Sequence, residues 1–193
     1  SGSLIIVPIA NLPAFQKRMI YYGPSDWKNL NRVFPGKPDG SLSERIAHVL
    51  TREVVGACDA LIDLHCGDGN EALIPYSYWM ISGDPKLDAE SKELALAFGI
   101  ETIIIDESRT KDPARSLYLG NTAVLSGKPA VTTESGYLGR TDEGSIARNV
   151  KGVENVLKHL EMVPGRVGEI PVVVVVVLRV AGAAEQLGHQ RTE

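Results

Sequence analysis

Cysteine is scarce in this 193-residue chain, with two residues, Cys58 and Cys66. Two thiols cannot build the disulfide framework that holds small secreted domains together, so a reducing, cytoplasmic setting is the expectation. An excess of one charge is also lacking. The 20 Lys and Arg face 24 Asp and Glu, for a net charge of -4. No basic stretch offers the counter-charge that nucleic acid or an anionic lipid surface requires, and neither is expected as a partner. Long hydrophobic runs are missing as well. The apolar run at residues 170–178 is far shorter than the roughly 20 residues of a membrane-spanning helix. The first residues, Ser1-Gly2-Ser3-Leu4, show no charged start or long apolar core of a signal peptide.

What is present is enough apolar sequence, 44% of residues, to bury the core of one ordinary domain. Residues 4–8 form a short β-branched run that reads as a buried strand. A long Pro- and Gly-containing segment, residues 11–40, follows; loops of that length inside a compact domain are commonly functional. Ser41-Leu42-Ser43-Glu44 has capping-box spacing, and Ile46, Val49, Leu50 and Val54 follow at helical intervals, which predicts a helix with one buried face. A strand ending at His65, a Gly-rich loop at 66–70 and a second apolar run at 72–75 come next. Asp84-Pro85 predicts a capped helix with Leu87, Leu94 and Phe98 on one face and Gly99 as its stop. Strands are expected at 101–106 and 128–134, a helix at 116–125 between them, and a last helix at about 142–162. In that helix Ile146, Val150, Val153, Leu157 and Leu160 recur every three or four residues.

Strands alternating with helices imply an α/β fold, a mainly parallel, doubly wound mixed sheet with helices on both faces. Parallel strands send their C-terminal ends to one edge. His65 and Glu134 each close such a strand, so residues far apart in sequence become neighbours, as a metal ligand and a general base would need to be. Imidazole is the commonest protein ligand for zinc, but one histidine is one ligand, and a catalytic zinc takes three from the protein. The six valines 172–177 lack amphipathic alternation and read as a strand that is either buried or shared between subunits, so a homo-oligomer stays open. The expected division is an α/β catalytic domain at 1–163 and a short β-rich remnant or tail at 164–193.

The string Asn29-Leu30-Asn31-Arg32-Val33-Phe34-Pro35-Gly36 is the most specific in the chain. Followed in order by Asp63-Leu64-His65 and Thr133-Glu134-Ser135-Gly136, it resembles the succinylglutamate desuccinylase/aspartoacylase family, relatives of the zinc carboxypeptidases. The resemblance extends from Leu4 to Met162 and includes Val7-Pro8-Ile9-Ala10-Asn11 and Gly67-Asp68-Gly69-Asn70. In that family one zinc is held by His and Glu of an early Gly-x-His-Gly-x-Glu segment and by the His of Asp-x-His. Only the last matches here, at His65. None of His48, His65, His159 or His189 has Glu three positions later. The expectation is that the early motif lies upstream of residue 1; the alternative is a member that has lost its metal.

The resemblance implies hydrolysis of the amide in a small N-acyl amino acid, the expected partner. Zinc would polarise the acyl carbonyl and lower the pKa of a bound water toward about 7. Glu134 would take the water proton and deliver it to the leaving amine. Arg32 would grip the substrate carboxylate through a bidentate fork, with Asn31 adding an amide donor. Arg18 would stabilise the oxyanion. Asn29 stands where many members have aspartate, which puts any charge role there in doubt. A carboxypeptidase or peptide amidase is the nearest rival activity, and a non-catalytic carboxylate-binding domain is the rival of another class.

Plainer readings stand beside these. Asp63 shares a strand face with His65 and either orients the imidazole or caps a loop. Arg32 binds substrate or ties down the long loop through a salt bridge. Tyr21, Tyr22 and Trp27 line a pocket or anchor the loop. Cys66 reads as a small packed side chain, in preference to a ligand in a self-contained His65-Cys66-Gly67-Asp68 metal site.

Overall fold

The computed structural model describes residues 1–168 and, as backbone, 174–177. Five helices are α1 (Leu12–Lys17), α2 (Leu42–Val49), α3 (Pro85–Phe98), α4 (Leu119–Leu125) and α5 (Glu143–His159). The strands are β1 (Leu61–His65), β2 (Tyr76–Met80), β3 (Thr102–Asp106), β4 (Ala130–Glu134) and β5 (Val174–Val177). They form one sheet in the order β1-β4-β2-β3-β5.

Three of the four pairings are parallel: β1 with β4, β2 with β3, and β3 with β5. The fourth, β2 with β4, is antiparallel. The sheet is thus two parallel groups running in opposite directions, and the C-terminal ends gather at both edges instead of one. His65 and Glu134 still meet, because β1 and β4 belong to the same group and these two residues are register partners.

Side chains alternate across a strand, so each face collects its own set. Ile103 and Val131 lie in a core with Leu94, Phe98 and Val156, which places α3 and α5 on that face. Leu61, Ala130 and Met80 pack with Ala123 and Val124 of α4 on the other. A smaller cluster, Leu30, Phe34, Ala47 and Leu50, holds the early loop against α2. The architecture is an α/β sandwich, one mixed sheet with helices on both faces.

Local signals formed where their hydrogen-bonding groups demanded partners. Asp84 caps α3, its Oδ1 accepting from the N–H groups of Lys86 and Leu87, and Gly99 ends it in the left-handed conformation at φ 87°. Ser41 N donates to Glu44 Oε2 at 2.9 Å at the start of α2. Helical hydrogen bonding continues past α2 through a π-helical turn, Leu50–Val55. The long segment 11–40 is less irregular than expected, since it contains α1 and a 3-10 turn at Leu30–Arg32.

Several expectations are corrected. Residues 4–8 form no strand, and Leu4 to Val7 are exposed, Ile6 at 71%. A strand exists only through pairing, and this segment pairs with none among the described residues. The apolar run 72–75 precedes its strand; Pro75 has no N–H to give a ladder, and β2 starts at Tyr76. In α2 and the turn after it the buried side is Ala47, Leu50 and Val55, while Val49 faces solvent. The regular stripe of α5 is only in part its core face: Val153 packs against the core, Ile146, Val150 and Leu160 are exposed, and Gly152 and Val156 are buried against α3. Of the valine run, Val174–Val177 extends the same sheet beside β3. Val172, Val173 and the remainder of the tail from residue 178 lie outside the described residues.

Candidate active site

The early loop reaches the sheet by two fastenings. Phe34 and Leu117 exchange backbone hydrogen bonds, with Leu117 in the left-handed region at φ 64°. Three residues back, Asn31 Oδ1 accepts from the N–H of Leu119 at 2.9 Å. Asn29 Oδ1 accepts from Asn31 N at 2.9 Å and so starts the 3-10 turn. Asparagine performs that capping as well as aspartate, which accounts for Asn29 without any charge. The result carries Arg32 over the ring of Tyr118, its Cζ 4.6 Å from the centroid. Arg32 Nη1 donates to the carbonyl of Asn31, and Arg32 forms no ion pair among the described residues. Among the described residues no salt bridge ties the loop down through Arg32.

These groups border a cavity of about 90 Å³, lined among others by Asn31, Arg32, Asp63, His65, Arg109 and Glu134. Four of the five residues expected at the site share it. The fifth, Arg18, does not: it is exposed at the C-cap of α1 with φ 52° and is not among the lining residues. Tyr21 also stays outside, its hydroxyl donating to Asn70 and Glu71 and tying the early loop to the Gly-rich loop, while Tyr22 and Trp27 are exposed. Cys66 is exposed instead of packed.

Asp63 Oδ1 lies 3.1 Å from His65 Nε2. That contact directs an Nε2 proton to the carboxylate and fixes the direction of the ring, and Nδ1 carries a lone pair for a metal only when the imidazole is neutral. Burial opposes a charged His65, but the Asp63 carboxylate, with Glu134 and Asp68 beyond it, outweighs burial and lifts the imidazole to about 9. Burial pushes the Glu134 carboxyl up to about 6, with His65 opposing and Glu71, Asp63 and Asp68 adding to the rise. A carboxylate held there is matched to proton transfer near neutral pH. Glu134 Oε2 and Asp63 Oδ2 are buried and accept no hydrogen bond among the described residues.

The sequence reading missed Arg109, Tyr118, Tyr78 and Thr132. Thr132 and Tyr78 are the floor, adjacent in the β2–β4 register. Arg109 follows β3, whose C-terminal end lies at the opposite sheet edge from Glu134, and folds back over the face. Only the Asp106-to-Arg109 spacing hinted at it, and such pairs are ordinary on any surface.

Residues 1–160 match the model of the succinylglutamate desuccinylase/aspartoacylase catalytic domain. The chain belongs to this family. Among curated relatives it is 37% identical over 165 residues to the N-alpha-acetyl-L-2,4-diaminobutyric acid deacetylase of Halomonas elongata, covering 85% of this chain and 46% of that protein. Among solved structures, the product-bound ectoine utilization protein EutE (DoeB) of Ruegeria pomeroyi superposes with TM-score 0.77 at 31% identity, over 90% of this chain and 51% of that one. A succinylglutamate desuccinylase/aspartoacylase from Rhodobacter sphaeroides gives TM-score 0.77 at 26% identity, over 91% and 51%. The chain thus spans about half the length of the relatives it matches.

Zinc is the metal that this family implies. His65, in its neutral form, would offer it one nitrogen ligand, but no three His, Cys, Asp or Glu side chains converge to hold a metal among the described residues. The ligand set is therefore not complete within those residues. No helix among the described residues is long and apolar enough to cross a membrane.

Proposed function

We propose that this chain carries the base and the carboxylate-binding half of a hydrolase acting on the amide of a small N-acyl amino acid. The observation that carries the reading is the shared cavity: a carboxylate raised toward neutrality, Glu134, beside an oriented imidazole, His65, and across from the Asn31–Arg32 pair. The deacetylase named above, a protein that acts on an N-acetyl amino acid, supports the same class of reaction.

In this reading the substrate carboxylate is held by the Arg32 fork, with the Nδ2 of Asn31 as a further donor, because Oδ1 is committed to Leu119. Holding the substrate there brings its acyl carbon toward Glu134. Glu134, ionised above about pH 6, takes the proton of the attacking water and returns it to the departing nitrogen. Asp63 keeps the His65 ring in one orientation throughout. If zinc were bound, His65 would be one of its ligands, and the metal would supply Lewis acidity. The two free cysteines suit a reducing, cytoplasmic setting.

The test is hydrolysis of N-acetyl and N-succinyl amino acids, followed by NMR with zinc supplied. Glu134→Gln is expected to abolish turnover and leave substrate binding intact, whereas Arg32→Gln is expected to weaken binding. Full turnover in the Glu134 variant would remove it from the mechanism. Carboxylate binding with no turnover by the wild-type chain would favour a binding domain, and preference for short peptides would favour a carboxypeptidase.

A further inference from the structure

The cavity that His65 and Glu134 line holds a second guanidinium beside that of Arg32. Arg109 is largely buried, and its Nε donates to Asp106 Oδ2 at 2.5 Å. Asp106 is itself buried and fully engaged, its Oδ1 accepting from the N–H and Oγ of Ser108. Those hydrogen bonds and the Arg109 charge hold the Asp106 carboxyl below its ordinary range in spite of burial. The guanidinium lies 3.7 Å from the centroid of Tyr118, the ring that also carries Arg32, and 5.3 Å from that of Tyr78. Arg109 is therefore fixed in direction by an ion pair on one side and two aromatic rings on the others.

Such fixing leaves the fork itself unused. Only Nε has a partner; neither Nη donates to a protein acceptor among the described residues, and Arg109 lines the cavity. Those Nη groups are not among the buried atoms left without a partner, so they stand open to the cavity as donors for a planar acceptor. The charge count points the same way. Asp106 pairs with Arg109, and Arg32 has no carboxylate partner among the described residues, so one of the two guanidinium charges at Tyr118 is left for a ligand. A cavity of about 90 Å³ has room for one small anionic group.

We infer that Arg109 is a second substrate-binding residue, which joins Arg32 around Tyr118 in a two-guanidinium clamp on a single carboxylate. The inference rests on the reading of the Asn31–Arg32 pair given above and adds to it the partner that sets the strength of the grip. Arg109 approaches from β3 and Arg32 from the early loop, so the clamp closes only when both segments are folded onto the sheet. A bidentate fork on each side discriminates a planar carboxylate from its neutral amide more sharply than one fork does.

The experiment is titration of the full chain, without added metal, with N-acetyl-L-alanine and with N-acetyl-L-alaninamide, read by ligand-observed NMR. The wild-type chain is expected to prefer the carboxylate. Arg109→Gln is expected to lose about 10- to 100-fold in carboxylate affinity with little change for the amide, the loss carried by hydrogen bonds to a charged group. Arg109→Lys keeps the charge beside Asp106 but not the fork, and is expected to fall between the two; it also serves if the Gln variant fails to fold. Combining Arg32→Gln with Arg109→Gln is expected to cost less than the two losses together, since both hold one group. If the preference disappears in Arg32→Gln and survives in both Arg109 variants, this inference is overturned and the function proposed above stands. If the wild-type chain shows no preference at all, both fall.

Discussion

Asn31 and Leu119, 88 positions apart in sequence, are joined by one hydrogen bond from the Leu119 N–H to Asn31 Oδ1 at 2.9 Å. This bond sets the direction of the Asn31 amide and ties the Arg32 loop to the first turn of α4. Asn31→Ala leaves the Leu119 N–H without its partner in a partly buried place. A loss of about 1–2 kcal/mol of stability is expected, measured by urea denaturation. An unchanged midpoint would mean that this hydrogen bond adds nothing to the other contacts that hold the loop.

Tyr118 carries both guanidiniums, so its ring, more than its hydroxyl, is predicted to matter. Tyr118→Phe is expected to bind N-acetyl-L-alanine as the wild type does. Tyr118→Leu removes the π face and is expected to weaken binding about two- to fivefold, as the loss of an exposed-to-partly-buried cation–π contact of about 0.5–1 kcal/mol predicts. Equal affinities for the Phe and Leu variants would argue against the platform.

Gly152 sits where α5 crosses α3. A Cβ placed there would lie 2.3 Å from Phe98 Cε1 and 2.4 Å from its Cζ, and Phe98 is buried. Alanine in a helix is worth about 1 kcal/mol over glycine, but forcing the ring aside costs about 1–3 kcal/mol. Gly152→Ala is therefore expected to destabilise by up to about 2 kcal/mol. In a Phe98→Leu background the added cost should shrink, and a double-mutant cycle by chemical denaturation reads the difference.

Glu44 links the start of α2 to the early loop. The Lys28 ammonium at 2.9 Å and the Ser41 N–H hold its carboxyl down to about 2, despite a small opposing effect of burial. A depressed carboxyl stabilises the fold above its ordinary value of about 4.3, and that stability is lost as pH falls through about 2. Glu44→Gln is expected to melt below the wild type at pH 7, with the gap closing between about pH 4.3 and pH 2. A gap of the same size at both ends of that range would rule out the ionised carboxylate as its source.

How much of this was legible in the chain differs from residue to residue. The ends of α3 were readable because Asp84 and Gly99 act on backbone groups within a few residues of themselves. The pairing of His65 with Glu134 was readable because both close strands of the same direction. The burial of α5 was not: its regular stripe predicted Ile146 and Val150 inside, yet a helix turns toward whichever neighbour it meets, and Gly152 and Val156 meet α3. Where Arg18 would lie was not readable from its position in the loop, because one short helix, α1, forms there and carries it to the surface.

By itself, then, the sequence determined the alternation of helices and strands, the caps that bound them, and the candidates His65, Glu134, Asn31 and Arg32, because periodicity, local hydrogen bonding and ordered motifs all act over short spans. Tertiary structure alone decided that β2 runs against β4, that Arg109 folds back from the far edge, and that Tyr118 gathers two guanidiniums over one ring. Those relations depend on strand direction and on contacts between distant segments, which no local pattern of residues encodes.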